Sequence, residues 1–255
     1  MTPQLLIASP LEEATATALL TLAEASVAMI VVGREPGPTS ECLRRFPEAV
    51  LTAPGMTSRF AVADGVRLAG RRAITVLDGR VRTLAVAVDA GRPNVLLTAS
   101  TAHLAAARDI GLTVIQPGWP EDVEPLLRAA LDAPEPVLMR LHRHPIEAAH
   151  PGGKPQLGTH RILRRGRSGL LVGAGVGIPA LVQVTAVLAA RGIRVTAAEM
   201  HTIRRGTGVD PVHTNGALLI GPAGLEDARH LVPVPFGSRS PTQLADAIQL
   251  VLPRR

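Results

Sequence analysis

The sequence predicts an α/β protein, built as a doubly wound, mostly parallel sheet followed by a smaller α/β unit. Two observations carry this. From Leu5 to His142, short apolar runs of strand length alternate with helical patterns, which is how a parallel sheet with crossover helices is written. The runs are apolar at consecutive rather than alternate positions, so helices are expected on both faces of the sheet. After a Pro- and Gly-rich break the alternation resumes on a smaller scale.

The elements follow in order. LLIA at Leu5 is the first expected strand. SPLE at Ser9 has the form of a capping box with Pro at the first helical position, and it opens a helix through about Ala25. VAMIVVG and AVLTA are the next strands, with SECLRRF between them as a helix. AITVLDG, NVLLTAS, LTVIQPG and PVLMRLH complete the set. PEDVEPLLRAAL, from Pro120, carries acids in its first turn, where the helix dipole favours them. HRHPIEAAHPGGKPQLG, from His142, is polar, rich in Pro and Gly and without periodicity, and reads as a linker. Beyond it come the strands HRILRRG and LLVGAG, the helix IPALVQVTAVLAARG, the strands IRVTAAEM and ALLIGPA, and a last helix opened by SPTQ at Ser240. Two domains are expected, 1–145 and 160–255, joined by a linker over 146–159.

Composition narrows the class. A chain of 255 residues at 46% hydrophobic content has ample core. The net charge of +6 would ordinarily point to an anionic partner. Here the basic residues are almost all Arg, with Lys154 the only lysine, and they are spread along the chain without interleaved aromatics, so nucleic acid is not an expected partner. A lone cysteine, Cys42, excludes an internal disulfide and fits a reducing cytoplasm. MTPQLLIASPLEE has no positive charge ahead of its short apolar run, so no signal peptide is expected. Arg, Asp or Pro interrupts every apolar run before the ~20 residues needed to span a bilayer, and a soluble cytoplasmic protein is expected.

Several motifs invite chemistry. Gly173, Gly175 and Gly177 form GxGxG between a strand and a helix, and the next strand ends at Glu199, imitating a dinucleotide-binding unit. The third glycine is out of register, which favours tight strand-to-helix turns over a cofactor site. His142, His144, Glu147 and His150 crowd the linker, but their irregular spacing on a Pro-rich segment lacks the scaffold that metal ligands need, so no metal site is assigned. No GxSxG elbow, P-loop or HExxH occurs. Cys42, inside a helical segment between charged flanks, reads as a structural thiol.

Taken in order, the segments resemble the transketolase-like pyrimidine-binding domain followed by the transketolase C-terminal domain. That pair makes up the second half of transketolases and 1-deoxyxylulose-5-phosphate synthases, and the whole beta subunit of 2-oxo acid dehydrogenases. FPEAV is similar to the start of the family's cofactor segment, and VADGVRLAGRR to the glycine-containing helix after it. IGLTVIQPGWPEDVEPLLRAALDAPEPVLMRLHR is the most specific match. HRILRRGRSGLLVGAGVGIPALVQVTAVLAARGIRVTAAEMHTIR is similar to the start of the C-terminal domain, with Thr202, Ile203 and Arg204 in its characteristic tripeptide.

The resemblance implies thiamine diphosphate chemistry shared between chains. In the family this part holds the aminopyrimidine ring, while a separate domain binds Mg²⁺ and the diphosphate. No such domain is recognisable here, so a diphosphate-binding transketolase-like subunit is the implied partner, in an α2β2 hetero-oligomer. The family glutamate that hydrogen-bonds the pyrimidine falls within PGMT, at Met56 or Thr57, and neither can relay a proton. Where the family stacks aromatics on the ring, this chain has Leu77, Asp78 and Gly79. The family's histidine-bearing loop is shortened, with His103 as the substitute. Arg143 matches a position where transketolases carry an arginine for a substrate phosphate, which implies a phosphorylated sugar. The resemblance thus implies a subunit of a split transketolase-like enzyme transferring a two-carbon ketol or acyl unit, with cofactor contacts at Met56, Thr57, Leu77 and Gly79 and substrate contacts at His103 and Arg143. The alternative is a non-catalytic subunit with an assembly or regulatory role.

Overall fold

A computed structural model describes residues 10–33, 39–77, 84, 95–141, 150–204, 214, 217–221, 232–235, 237 and 239–252. The consecutive apolar runs become the strands β1 (Ala28–Val32), β2 (Val50–Thr52), β3 (Arg72–Val76), β4 (Val95–Thr98), β5 (Thr113–Ile115) and β6 (Val137–Arg140). They pair in parallel in the order β5-β6-β4-β3-β1-β2.

Successive side chains on a strand point to opposite faces, and the two faces are covered by different helices. Ile30 and Val32 pack with Leu19 and Leu22 of α1 (Pro10–Glu24) and with Leu126 and Leu127 of α5 (Val123–Leu131). Met29 and Val31, on the other face, pack with Ala63 and Val66 of α3 (Met56–Leu68). Further along that second face, Leu96 and Leu138 meet Leu104 and Ala107 of α4 (Ala102–Ile110). The sheet is therefore doubly wound, as expected. The short helix α2 (Ser40–Arg45) buries Cys42 in the first of these cores, and burial raises the thiol's pKa, which suits a structural role.

A second sheet holds β7 (Arg161–Arg164), β8 (Leu170–Gly173), β9 (Thr196–Glu199), β11 (Ala217–Gly221) and β12 (Val232–Pro235), in the order β12-β11-β8-β9-β7. Only β8 and β9 run parallel, joined through α6 (Ile178–Ala190) in a right-sized crossover. Together with α7 (Pro241–Val251), α6 buries Leu181, Val184, Leu188, Leu244 and Ile248 against Leu171, Ala197 and Leu218. The helix signal at Ser240 is realised in full: its side chain accepts from the Gln243 N–H, and the Gln243 side chain accepts from the Ser240 N–H.

Two strands escape the sequence reading. β12 is VPVP, whose prolines demote it as a strand, yet it lies at the sheet edge, where a missing N–H is tolerated. β10 (Thr202–Ile203) follows the second sheet in sequence but pairs antiparallel with β5, and so becomes the edge of the first, seven-stranded sheet. Two residues of propensity signal cannot reveal such a pairing. The expected strand LLIA lies outside the described residues. Among those residues, no helix is long and apolar enough to cross a membrane.

Candidate functional site

In a doubly wound sheet, ligands gather at the carboxyl ends of the strands, because the loops there leave a crevice. At this edge α3 begins directly after β2, with Gly55 as an N-cap that lends no side chain. Met56 is its first residue. Met56 and Leu77, the residue after β3, each retain 8% exposure and share one apolar cluster with Phe60, Leu84 and Leu104. Thr57 is exposed. His103 is buried on α4, with its Nδ1 2.7 Å from the Thr98 hydroxyl at the end of β4. The structure thus brings Met56 and Leu77 together, turns Thr57 outward and sets His103 against β4. Gly79 and Arg143 lie outside the described residues, as do Asp78, His142, His144 and Glu147.

One residue at this edge was not anticipated. Arg59, one turn after Met56, is buried, and its guanidinium bridges the strand ends. Its Nη1 donates to the Val76 carbonyl at 2.9 Å, its Nε donates to the Ala53 carbonyl at 3.2 Å, and Nη1 lies 3.2 Å from Met56 Sδ. A methyl group added to Gly33, after β1, would fall 2.2 Å from Nη2. The ends of β2 and β3 are therefore tied together by one buried cation, which packs closely against the Gly33 backbone after β1.

Arg140, the last residue of β6, is 6% exposed. Among the described residues its Nε and Nη1 are buried without a hydrogen-bond partner, and burial lowers its pKa to about 10. The signal was present in the sequence: PVLMR ends a run buried on both sides with a charge.

A second polar cluster joins the two sheets. Trp119 and Asp122 follow β5, and Trp119 inserts into the core of the second sheet beside Ile178. Arg161, on β7, donates from Nη1 to Asp122 Oδ2 at 3.0 Å and from Nη2 to Oδ1 at 2.8 Å, while its guanidinium sits 5.5 Å from the Trp119 ring. His150 Nε2 lies 3.0 Å from Asp122 Oδ1, and its ring meets Trp119 edge-on at 5.8 Å. His150, expected in a solvated linker, is therefore packed. Glu199, at the end of β9, is fully buried. Its Oε2 is 3.2 Å from Arg161 Nη1 and its carboxylate faces the Gly118 backbone, but neither oxygen is in an aligned hydrogen bond. Burial pushes Glu199 up to about 8, against the pull of Arg161. His201 lies nearby, with Nε2 3.0 Å from the Gln156 carbonyl, and burial lowers its pKa.

Against thiamine diphosphate, the described residues fit one requirement and not another. Met56, Phe60 and Leu77 form an apolar wall of the kind an aromatic ring packs on. Between Glu48, ahead of β2, and Asp64, midway along α3, there is no carboxylate, and among the described residues the charge held at these strand ends is the Arg59 cation. The wall can face a ring, but it cannot relay a proton to it. No group of three or more His, Cys, Asp or Glu suited to a metal occurs among the described residues.

No protein-family model matches the chain. No curated protein matches it by sequence either. Its fold does match solved structures. A split-gene transketolase, an inactive β4 tetramer, is similar at a TM-score of 0.65 and 18% identity, over 75% of this chain and 71% of that one. Transketolase from Campylobacter jejuni subsp. jejuni NCTC 11168 is similar at 0.59 and 13% identity, over 76% of this chain and 35% of that one. Transketolase from Leishmania mexicana is similar at 0.56 and 16% identity, over 75% and 34%. The chain spans about a third of the length of these last two, and it has the transketolase-like α/β fold.

Proposed function

We propose that this chain is one subunit of a split transketolase-like enzyme, which transfers a two-carbon ketol or acyl unit with thiamine diphosphate held between it and a partner chain that binds the diphosphate and Mg²⁺. The observation that supports this reading most is the fold match to a split-gene transketolase over most of both chains, together with coverage of only about a third of full-length transketolases. That the split-gene protein forms an inactive β4 tetramer supports the expectation that this chain alone is inactive and assembles with others.

Within this reading, Met56 and Leu77 form the wall against the pyrimidine ring, and Thr57, exposed in the first turn of α3, is placed to touch the partner or the cofactor. When bound, thiamine diphosphate supplies the stabilised carbanion on which two-carbon transfer depends. This chain adds packing and orientation rather than proton transfer, and general acid–base help of the missing kind is typically worth ~10²–10⁴ in rate. A slow enzyme is expected.

The lack of a carboxylate beside Met56 among the described residues, with Arg59 in contact with its sulfur, favours a second reading, a non-catalytic subunit that keeps the fold as an assembly surface. Calorimetry with thiamine diphosphate and Mg²⁺ separates the two. The complex with a co-purified diphosphate-binding chain is expected to bind the cofactor while the isolated chain does not. A complex that fails to bind it supports the assembly role, and binding by the isolated chain contradicts the split site.

A further inference from the structure

Met56 and Leu77 stand at the carboxyl end of the parallel sheet, whereas the amino end of β5 and β6 opens into a separate cavity of about 480 Å³. That volume is within the ~300–1,000 Å³ usual for small-molecule sites. Thr113 and Val137, the first residues of β5 and β6, pair with each other and line it. On the other side of β5, Ile203 of β10 pairs with Val114, so that Arg204, the next residue, reaches the same cavity. Pro134 and Glu135, just ahead of β6, and Leu157, from the segment ahead of β7, close the wall.

This wall is held in place by the protein itself. The Thr159 N–H and hydroxyl both donate to the Gln156 carbonyl, at 3.1 and 2.9 Å, and His201 Nε2 lies 3.0 Å from the same oxygen, so the turn that carries Leu157 and Gly158 is anchored. Gly158 has a left-handed φ of +85°, and a Cβ there would fall 2.8 Å from Arg204 Cζ. Glycine therefore lets the turn lie directly against the guanidinium. With five N–H donors, that group can hold protein atoms on one edge and a ligand on another. Glu135 is exposed and has no ion-pair partner among the described residues, so the cavity keeps a carboxylate and a guanidinium that do not neutralise each other.

We propose that this cavity binds a small zwitterion, an α-amino acid with an apolar side chain. Arg204 takes its carboxylate, Glu135 its ammonium, and Pro134, Val137 and Leu157 its side chain. A guanidinium pairs bidentately with a carboxylate, an ammonium brings three donors to another, and the apolar wall gains by covering hydrocarbon. A simple acid or a simple amine would leave one charged wall unanswered. A nucleotide fits less well, because Glu135 would face its phosphates and, among the described residues, no aromatic side chain lines the cavity to stack on a base. The site lies away from Met56 and does not rest on the thiamine diphosphate reading.

The experiment is calorimetry of the full chain with L-leucine, in the absence of thiamine diphosphate and Mg²⁺, against three probes that each lack one feature: 4-methylpentanoate without the amine, leucinamide without the carboxylate, and glycine without the side chain. Leucine is expected to bind, and each of the others to bind about tenfold more weakly or worse, the usual consequence of losing one charge-assisted contact or one buried side chain. Glu135→Gln is expected to weaken leucine by about tenfold and to leave 4-methylpentanoate unchanged, because that probe has no ammonium to lose. Arg204→Gln is expected to weaken leucine similarly and to leave leucinamide unchanged, and Gly158→Ala to act like Arg204→Gln by pushing the guanidinium aside. No response to leucine up to ~10 mM overturns the proposal. Equal affinity for leucine, 4-methylpentanoate and leucinamide overturns it as well, as does undiminished leucine binding in Glu135→Gln or Arg204→Gln. Should a variant fail to fold, the comparison of the four probes on the wild-type chain decides.

Discussion

Arg161 grips Asp122 through both guanidinium edge nitrogens, at 3.0 and 2.8 Å, and in doing so joins a strand of the second sheet to the loop after β5 of the first. The acid is almost wholly buried, and the arginine is shielded by Trp119 on one side. Asp122→Ala would leave Arg161 with the poorly aligned Glu199 as its carboxylate, beside a long contact to the Gly153 carbonyl, and would take from His150 the carboxylate it meets. Removing one partner of a buried pair typically costs about 3–5 kcal/mol. Urea denaturation is expected to show a loss of that order, and a change below about 1 kcal/mol would show that this contact does not hold the sheets together.

Glu199 gives the same junction a dependence on pH. Its folded pKa is about 8 against an ordinary 4.5. Between those values the folded state holds a proton that the unfolded state has released. Stability is therefore full below about pH 4.5, falls as pH rises toward 8, and levels beyond it. The limiting slope from one such group is about 1.4 kcal/mol per pH unit. Glu199→Gln is expected to flatten stability over that window and to exceed wild type at pH 8 and above. Parallel curves for the two proteins from pH 5 to 8 would refute the assignment.

How much of this was legible beforehand differs between fold and site. The two-sided apolar runs report burial on both faces, so the parallel sheet and the covering of its faces by helices could be read directly, though α4, which carries His103 where a loop was expected, was not, and the Ser240 capping box could be read to the residue. β10 could not, because its partner β5 lies almost ninety residues away and the pairing is made by backbone groups that carry no sequence signal. At the site, the absence of an acid near Met56 was visible from the letters alone. Arg59 was not, because an arginine that follows Thr57 and Ser58 in a helix's first turn looks solvated until the strand ends close over it. Asp122, Arg161 and Glu199 are separated in sequence and converge only when the sheets pack.

Gly33 is the least conspicuous of the residues at that edge, yet it sets how close Arg59 can come. A Cβ there would lie 2.2 Å from Nη2 and 2.7 Å from Cζ, so Gly33→Ala has to push the guanidinium aside. The displaced group loses acceptors on Ala53 and Val76 while remaining buried. Unsatisfied buried donors cost about 1–3 kcal/mol, more for charged groups. A loss in that range is expected by denaturant melt, and it should largely vanish in an Arg59→Met background, where no guanidinium remains to be displaced. An equal loss in both backgrounds would place the strain elsewhere.

Met56 and Thr57 are adjacent, but a carboxylate at either one meets a different environment. Met56 is buried with its sulfur 3.2 Å from Arg59 Nη1, so Met56→Glu delivers an anion directly to that cation. Thr57 points to solvent in the first turn of α3, so Thr57→Glu meets chiefly the helix dipole. Thr57→Glu is therefore expected to raise stability by about 0.3–1 kcal/mol, a gain that salt should screen. Met56→Glu is expected to be coupled to Arg59: in a double-mutant cycle with Arg59→Met, an interaction energy of about 1–3 kcal/mol should appear. An acid at position 56 would then be held by Arg59 and kept ionised, whereas one at position 57 would remain free to meet a partner chain or a ligand. If the cycle shows coupling below about 0.5 kcal/mol for Met56→Glu, or the larger coupling for Thr57→Glu, the side chains at this helix start are arranged otherwise than the Arg59–Met56 contact implies.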